Sequence, residues 1–292
     1  MGKFYFLALS LVSFLFFSSC EKDQITPGYV YIPEITVNTN YNINGSSSSR
    51  ITNAKVYNGN ELIGVYELPI NVPVLSEGET NIQCLPLIEN NGLASNILYY
   101  IFYNSSSDQV FIEGDKQDTI RPVVTYASNS QVDYWYEDFN GISFDLAPGP
   151  SSDAPLVITE DPNEIFEGNG SGSFILDNDS AYSKYLTEEY FNYSAGTPAF
   201  LELDYKNNQA FFFSLILRPA DGNVYKLPIY QFSSTSNASG ELEWNKIYID
   251  LGTSLNEINN IGSFDICFEM ERDNAVANPL VLIDNVKVIK GK

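Results

Sequence analysis

The chain reads as all-β, with two β-sandwiches in tandem. Three observations predict this. Apolar–polar alternation recurs about every eight to twelve residues. Gly, Pro and Asn-Gly punctuate the runs, as turn chemistry requires. No long apolar pattern with a 3.6-residue period follows residue 20, so amphipathic helices are not expected. With 44% hydrophobic and 14% aromatic residues, 292 residues can fill a core in each of two such units.

The first block is expected over 29–126. "YVYIPEITVNT" alternates, and "NGSSSSR" is a loop. "ITNAKVYNG", "ELIGVYELP" and "INVPVLSEGETNIQCLPLIE" are strands, and "NILYYIFYN" closes the set. Asn58-Gly59 marks a hairpin of type I′, which needs positive φ at both central residues. "DKQDTIRPVVTYASNSQ", 115–131, reads as a polar joint. The second block is expected over 127–292. Its strands are "YWYEDFNGISFDL", "SGSFILDN", "AFLELDYK", "QAFFFSLILRP", "VYKLPIYQF", "WNKIYIDLG", "SFDICFEM" and "PLVLIDNVKVIK". "FFFSLIL" reads as core, and the insertion "DSAYSKYLTEEYFNY" as a helical turn. Roughly eight turn-bounded strands predict a jelly roll.

Residues before the first block tell of compartment. Lys3 precedes the uncharged run Phe4 to Phe17, which suits a signal-peptide core and is short of the ~20 residues that span a bilayer. Ser18, Ser19 and Cys20 follow. The stretch resembles the lipobox of Bacteroidota-type lipoproteins, with Phe17 where Leu is usual. The resemblance implies a signal peptide over 1–19, acylation of Cys20 with palmitate-like chains, and a lipidated linker over 20–28. Stable anchoring takes two or more acyl chains. "EKDQ", Glu21 to Gln24, partly resembles the lysine-plus-acid signals that send such proteins to the cell surface. An outer-membrane protein is expected, lipid-anchored and on the outer face.

Two further resemblances concern the blocks. "AKVYNGNELIGVYELP" and "PVLSEGETNIQ" resemble the PEGA and transthyretin-like (Ig-like) sandwiches of bacterial surface proteins. That likeness implies a spacer or interaction module. "YEDFN", "FEGNGSGSFILD", "WNKIYIDL" and "VLIDNVKV" resemble the galactose-binding-like jelly rolls that include many carbohydrate-binding modules.

Composition excludes several chemistries. The chain has no histidine, which removes the commonest general base, the usual zinc ligand and every Ser-His or Cys-His pair. Its formal charge is −22, which repels nucleic acid. Setting Cys20 aside, Cys84 and Cys267 are read as free thiols without a nucleophilic role. With 37 acidic residues a glycosidase-like pair arises by chance and carries little information; with no histidine and no nucleophile motif, no enzyme is expected.

Candidate sites follow. Glu137 or Asp138 on the first jelly-roll strand and Asp284 on the last match positions that hold a structural Ca²⁺ in the resembling modules; a hard cation takes six to eight oxygens. Sugars stack on aromatic rings beside orienting polar groups, and Tyr134, Trp135, Tyr136, Tyr225 and Tyr230 are available. "DTI" and "DSA" resemble Bacteroidota O-glycosylation sites, with Thr119 and Ser180 as acceptors. The expected function is non-catalytic binding of a glycan or a protein partner through the jelly roll. The rival is a structural subunit docking on an outer-membrane β-barrel.

Overall fold

Pro33 splits the first alternating run into β1 (Gly28–Ile32) and β2 (Thr36–Asn38), because proline cannot donate to a ladder. The computed structural model describes residues 26–219, 222–258 and 260–292. The expected signal peptide, Cys20 and "EKDQ" lie outside the described residues. The block continues with β3 (Asn53–Asn58), β4 (Glu61–Glu67), β5 (Ile70–Val74), β6 (Gly78–Glu89), β7 (Ile97–Tyr99), β8 (Ser106–Ile112), β9 (Gln117–Thr119) and β10 (Val123–Thr125). One side pairs as β5-β1-β9 beside β10-β2, and the other as β4-β3-β6 with β7 and β8 both on β6. Val30, Ile32, Val56, Val72, Ile82 and Ile112 meet between them, all within 2% of full burial.

Two local expectations change. Asn58 pairs with Glu61, so the two-residue loop is Gly59-Asn60. Only Gly59 takes positive φ (57°), at the first central position, which is the type II′ pattern. The supposed joint contains two short strands: β9 pairs in parallel with β1, and β10 with β2. Ile120 and Val124 are buried, which anchors a stretch whose polar majority concealed it.

The second block holds β11 (Val132–Glu137), β12 (Leu146–Pro148), β13 (Leu156–Thr159), β14 (Ser171–Phe174), β15 (Tyr182–Thr187), β16 (Phe191–Asn192), β17 (Ala199–Asn207), β18 (Phe211–Pro219), β19 (Tyr225–Phe232), β20 (Asn245–Asp250), β21 (Ile261–Glu271) and β22 (Val281–Gly291). Sheet I runs β13-β14-β22-β17-β20, with β11 also on β22. Sheet II runs β12-β15-β21-β18-β19, with β16 also on β21. Leu201, Leu203, Ile249 and Ile283 of sheet I face Phe213, Leu215, Phe264, Ile266 and Phe268 of sheet II. This is the jelly-roll sandwich. Pro148 and Pro228 sit in its edge strands, where proline blocks further pairing. The insertion expected to turn helical forms β15 and β16 instead. Ser183, Tyr185 and Thr187 point inward with a period of two, which a helix cannot supply.

The two blocks share one core. The outer face of sheet I carries Phe200, Tyr248 and Ile289 into the apolar cluster of the first block. Beside them lie Glu202, Asp204, Lys246 and Lys287, each at most 7% exposed. Glu202 accepts O–H bonds from Tyr100 (2.7 Å) and Tyr126 (2.8 Å) of the first block. Lys246 stands 3.5 Å from Glu202 and 3.3 Å from Asp204. Lys287 donates to the Tyr126 hydroxyl at 2.8 Å and to the Ser46 carbonyl at 3.3 Å. Ser48 donates to Asp204 (2.9 Å), and the Arg50 N–H to the Tyr248 hydroxyl (3.0 Å). Desolvation raises the Glu202 carboxyl, but the two ammonium groups and two tyrosines outweigh it and hold it below the usual range.

Candidate functional site

Because the first block covers the outer face of sheet I, the jelly roll has one broad face left for a ligand, that of sheet II. Register defines it. Phe213, Leu215 and Leu217 pair with Phe268, Ile266 and Phe264 inside the sandwich. Alternation therefore sends Phe212, Ser214, Ile216 and Arg218 outward, together with their partners Glu269, Cys267, Asp265 and Ser263. Lys184 and Tyr182 of β15 join on one side, and Lys226 of β19 on the other.

The middle of this face is a floor. Ser214, Ile216, Asp265 and Cys267 are at most 6% exposed although they point away from the core. Longer side chains rise around them. Arg218 bonds Asp265 at 2.7 Å through Nη2. Lys226 and the Tyr182 hydroxyl both donate to Glu269. The Arg218 guanidinium lies 4.3 Å from the centre of the Tyr190 ring. Tyr190 and Phe212 are 59% and 43% exposed, so both rings meet solvent. Burial pushes the Asp265 carboxyl up, and Arg218 only partly offsets this. Burial also raises Glu269, but the Lys226 and Tyr182 bonds outweigh it and hold it low. The Cys267 thiol is pushed up to about 12 by burial, and Cys84 likewise, so neither serves as a thiolate. Both are free.

This arrangement fixes the charged side chains in ion pairs between exposed rings. It does not resemble a hydrolytic pair. Asp265 and Glu269 lie four residues apart on one strand, about 13 Å between Cα atoms, well beyond the carboxyl spacing of glycosidases. Each is also committed to a cation.

The aromatic residues singled out from sequence are placed apart. Trp135 and Tyr134 line one pocket at the β11 edge. The Trp135 ring packs on Phe191 at 5.6 Å, and the Tyr134 hydroxyl donates to the Ala127 carbonyl. Tyr136 sits 6.2 Å from Tyr41, at the seam with the first block. Tyr225 is 49% exposed at the start of β19, and Tyr230 packs on Phe232 at 4.8 Å. Phe212, Tyr190 and Tyr182 were not singled out. Phe212 stands in the run read as core, which is correct for Phe211 and Phe213 but not for the residue between them; strict alternation was the missed signal.

The carboxylates expected to hold calcium each accept hydrogen bonds within the protein. Glu137 accepts the N–H groups of Phe139 and Asp145, each at 2.7 Å. Asp138 accepts from Tyr41 and Asn140. Asp284 accepts from Ser171 (2.6 Å) and the Asn285 N–H (2.7 Å). Among the described residues no group of three or more His, Cys, Asp or Glu could hold a metal. Thr119 is exposed in β9, and Ser180 is half-buried in a turn where its N–H donates to Asp177.

No protein-family model matches the chain, and no curated protein matches it. Among solved structures, it is similar to the CBM22-1 xylan-binding domain of Paenibacillus barcinonensis Xyn10C at 12% identity and TM-score 0.37, over 54% of this chain and 94% of that one. It is similar to the CBM22-1–GH10 modules of Clostridium thermocellum xylanase 10B with xylohexaose at 16% identity and TM-score 0.39, over 55% of this chain and 28% of that one. A CBM29-2 variant complexed with mannohexaose gives 12% identity and TM-score 0.35, over 54% and 92%.

Proposed function

We propose that the protein is a non-catalytic glycan-binding module whose ligand lies across the outer face of sheet II. The supporting observation is the sheet II face, taken as the binding groove: the exposed rings of Phe212 and Tyr190 beside ion pairs that fix Arg218, Lys226 and Glu269. Glu269, partly exposed and held by Lys226 and Tyr182, keeps lone pairs for a sugar hydroxyl, while the buried Asp265 fixes the Arg218 guanidinium. Apolar sugar faces stack on the rings. The first block acts as a rigid mount, since it packs on the opposite sheet.

Affinity electrophoresis through gels containing β-glucan, xylan or mannan tests this. At least one polysaccharide should retard the native protein. Phe212→Ala should weaken that binding about fivefold, the worth of one lost stacking contact near 1 kcal/mol. Retardation by none, or an unchanged Phe212→Ala, counts against the groove. Co-isolation with a β-barrel instead would favour a docking subunit.

The same proposal anchors the module to the outer membrane through acylated Cys20. Cys20→Ser should move the protein from the membrane pellet to the soluble fraction. A variant that still sediments in high salt refutes the anchor.

A further inference from the structure

A pocket of about 300 Å³ opens at the β11–β16 edge of the jelly roll, lined among others by Asp133, Trp135, Glu189, Tyr190, Asn192 and Lys290. Tyr190 is common to this pocket and to the groove, because its ring also carries the Arg218 guanidinium that bonds Asp265. The two sites are therefore continuous around one exposed ring.

The polar groups of the pocket are uncommitted. The Glu189 carboxylate, the Tyr190 hydroxyl and the Asn192 amide make no side-chain hydrogen bond among the described residues, and all three residues are exposed. The larger cavity between the blocks, about 470 Å³, differs in this respect. There Asp250 caps a helical turn by accepting from the Thr253 N–H and hydroxyl, and Asn256 accepts from Tyr193 and Gly196. Donors and acceptors with no partner inside the protein are fully available to a hydroxylated ligand. The edge pocket supplies them; the larger cavity does not.

Charge narrows the ligand. Asp133 is paired with both Lys290 (2.6 Å) and Lys292 (3.6 Å), so with Glu189 the carboxylates and ammonium groups around the pocket balance. With no net charge to reward an ionic ligand, the pocket suits a neutral sugar, which meets an acceptor, an amide and a ring. The Trp135 indole, held edge-on to Phe191, gives the pocket a fixed apolar wall.

We propose that the pocket lined by Trp135, Glu189, Tyr190 and Asn192 is a second subsite, taking neutral sugar units of the same glycan chain as it leaves the groove. This rests on the glycan reading of sheet II. Titration calorimetry with neutral xylo-, manno- and cello-oligosaccharides of increasing length tests it, comparing the native chain, Phe212→Ala, and the surface double variant Glu189→Ala/Asn192→Ala. Short oligosaccharides should bind the native chain and the double variant alike. For long ones the double variant should be about tenfold weaker, while Phe212→Ala weakens every length. If the double variant matches the native chain at all lengths while Phe212→Ala loses affinity, the pocket is not a subsite and the groove survives. If the native chain binds no oligosaccharide of any length, both ideas fall.

Discussion

Glu202→Ala is expected to destabilise the protein by about 3–5 kcal/mol and to lower the stability of both blocks together. The residue is fully buried on sheet I, between two ammonium groups and two tyrosines of the first block. Its removal leaves Lys287 without a carboxylate at ion-pair distance among the described residues, since Asp204 pairs with Lys246. Burial already pushes the Lys287 pKa down to about 8, with Glu202 as the main charge opposing that fall. The hydroxyls of Tyr100 and Tyr126 also lose their acceptor. Urea unfolding followed by two probes checks the coupling. The chain has two tryptophans, Trp135 and Trp244, both in the jelly roll, whereas far-ultraviolet dichroism reports on both blocks. The two curves should coincide in the native protein and shift together in the variant. Separate transitions, or a loss below about 1 kcal/mol, would mean that the buried charges do not join the blocks.

The same cluster marks where sequence stops being legible. "FLELDYK", "WNKIYIDL" and "DNVKVIK" each alternate, so sheet I could be drawn from sequence with an apolar face and a polar one. A polar face on a strand is ordinarily a wet face. Nothing in Glu202, Asp204, Lys246 or Lys287 reveals that another unit will cover them; only their mutual pairing across β17, β20 and β22 does. The covering tyrosines lay in "NILYYIFYN", where Tyr100 and Tyr103 passed as ordinary strand aromatics. They lie in and beside a tight turn, with Tyr103 donating its N–H to the Tyr100 carbonyl, and both rings enter the seam. The groove on sheet II was hidden differently. In "SFDICFEM" the inward set Phe264, Ile266, Phe268 and Met270 was plain. The outward set Asp265, Cys267 and Glu269 does not announce a site in sequence, because its partners Arg218 and Lys226 come from other strands. Aromatic residues were sought by type, and Trp135 was found at a pocket. Tyr190 needed the fold, since only the return of β16 to β21 brings it over Arg218.

Asp284→Asn is expected to stabilise the protein at pH 8 and to change little at pH 4. Asp284 is fully buried, and burial pushes its pKa up to about 8, with Asp204 and Glu167 adding to the rise and the Ser171 and Asn285 bonds opposing it. An unfolded aspartate titrates near 3.9. The folded pKa is therefore the higher one, so the stability this group contributes is fully present below about pH 4 and is lost as pH rises through about 8. Asparagine has nearly the same shape, accepts from the Asn285 N–H, and never ionises. Each pKa unit corresponds to about 1.4 kcal/mol, but relaxation and water entry reduce the cost of a buried charge, and a gain on the order of 2 kcal/mol at pH 8 is expected. A calcium ligand predicts the opposite sign: the substitution would remove a charge that the cation needs, and the loss would appear only with the metal present. Melting temperatures of the native and Asp284→Asn proteins, at pH 4 and pH 8, in calcium and in chelator, separate the two. A variant that melts higher at pH 8 in both solutions supports a carboxyl strained by burial. One that melts lower in calcium and equally in chelator would restore Asp284 as a metal ligand.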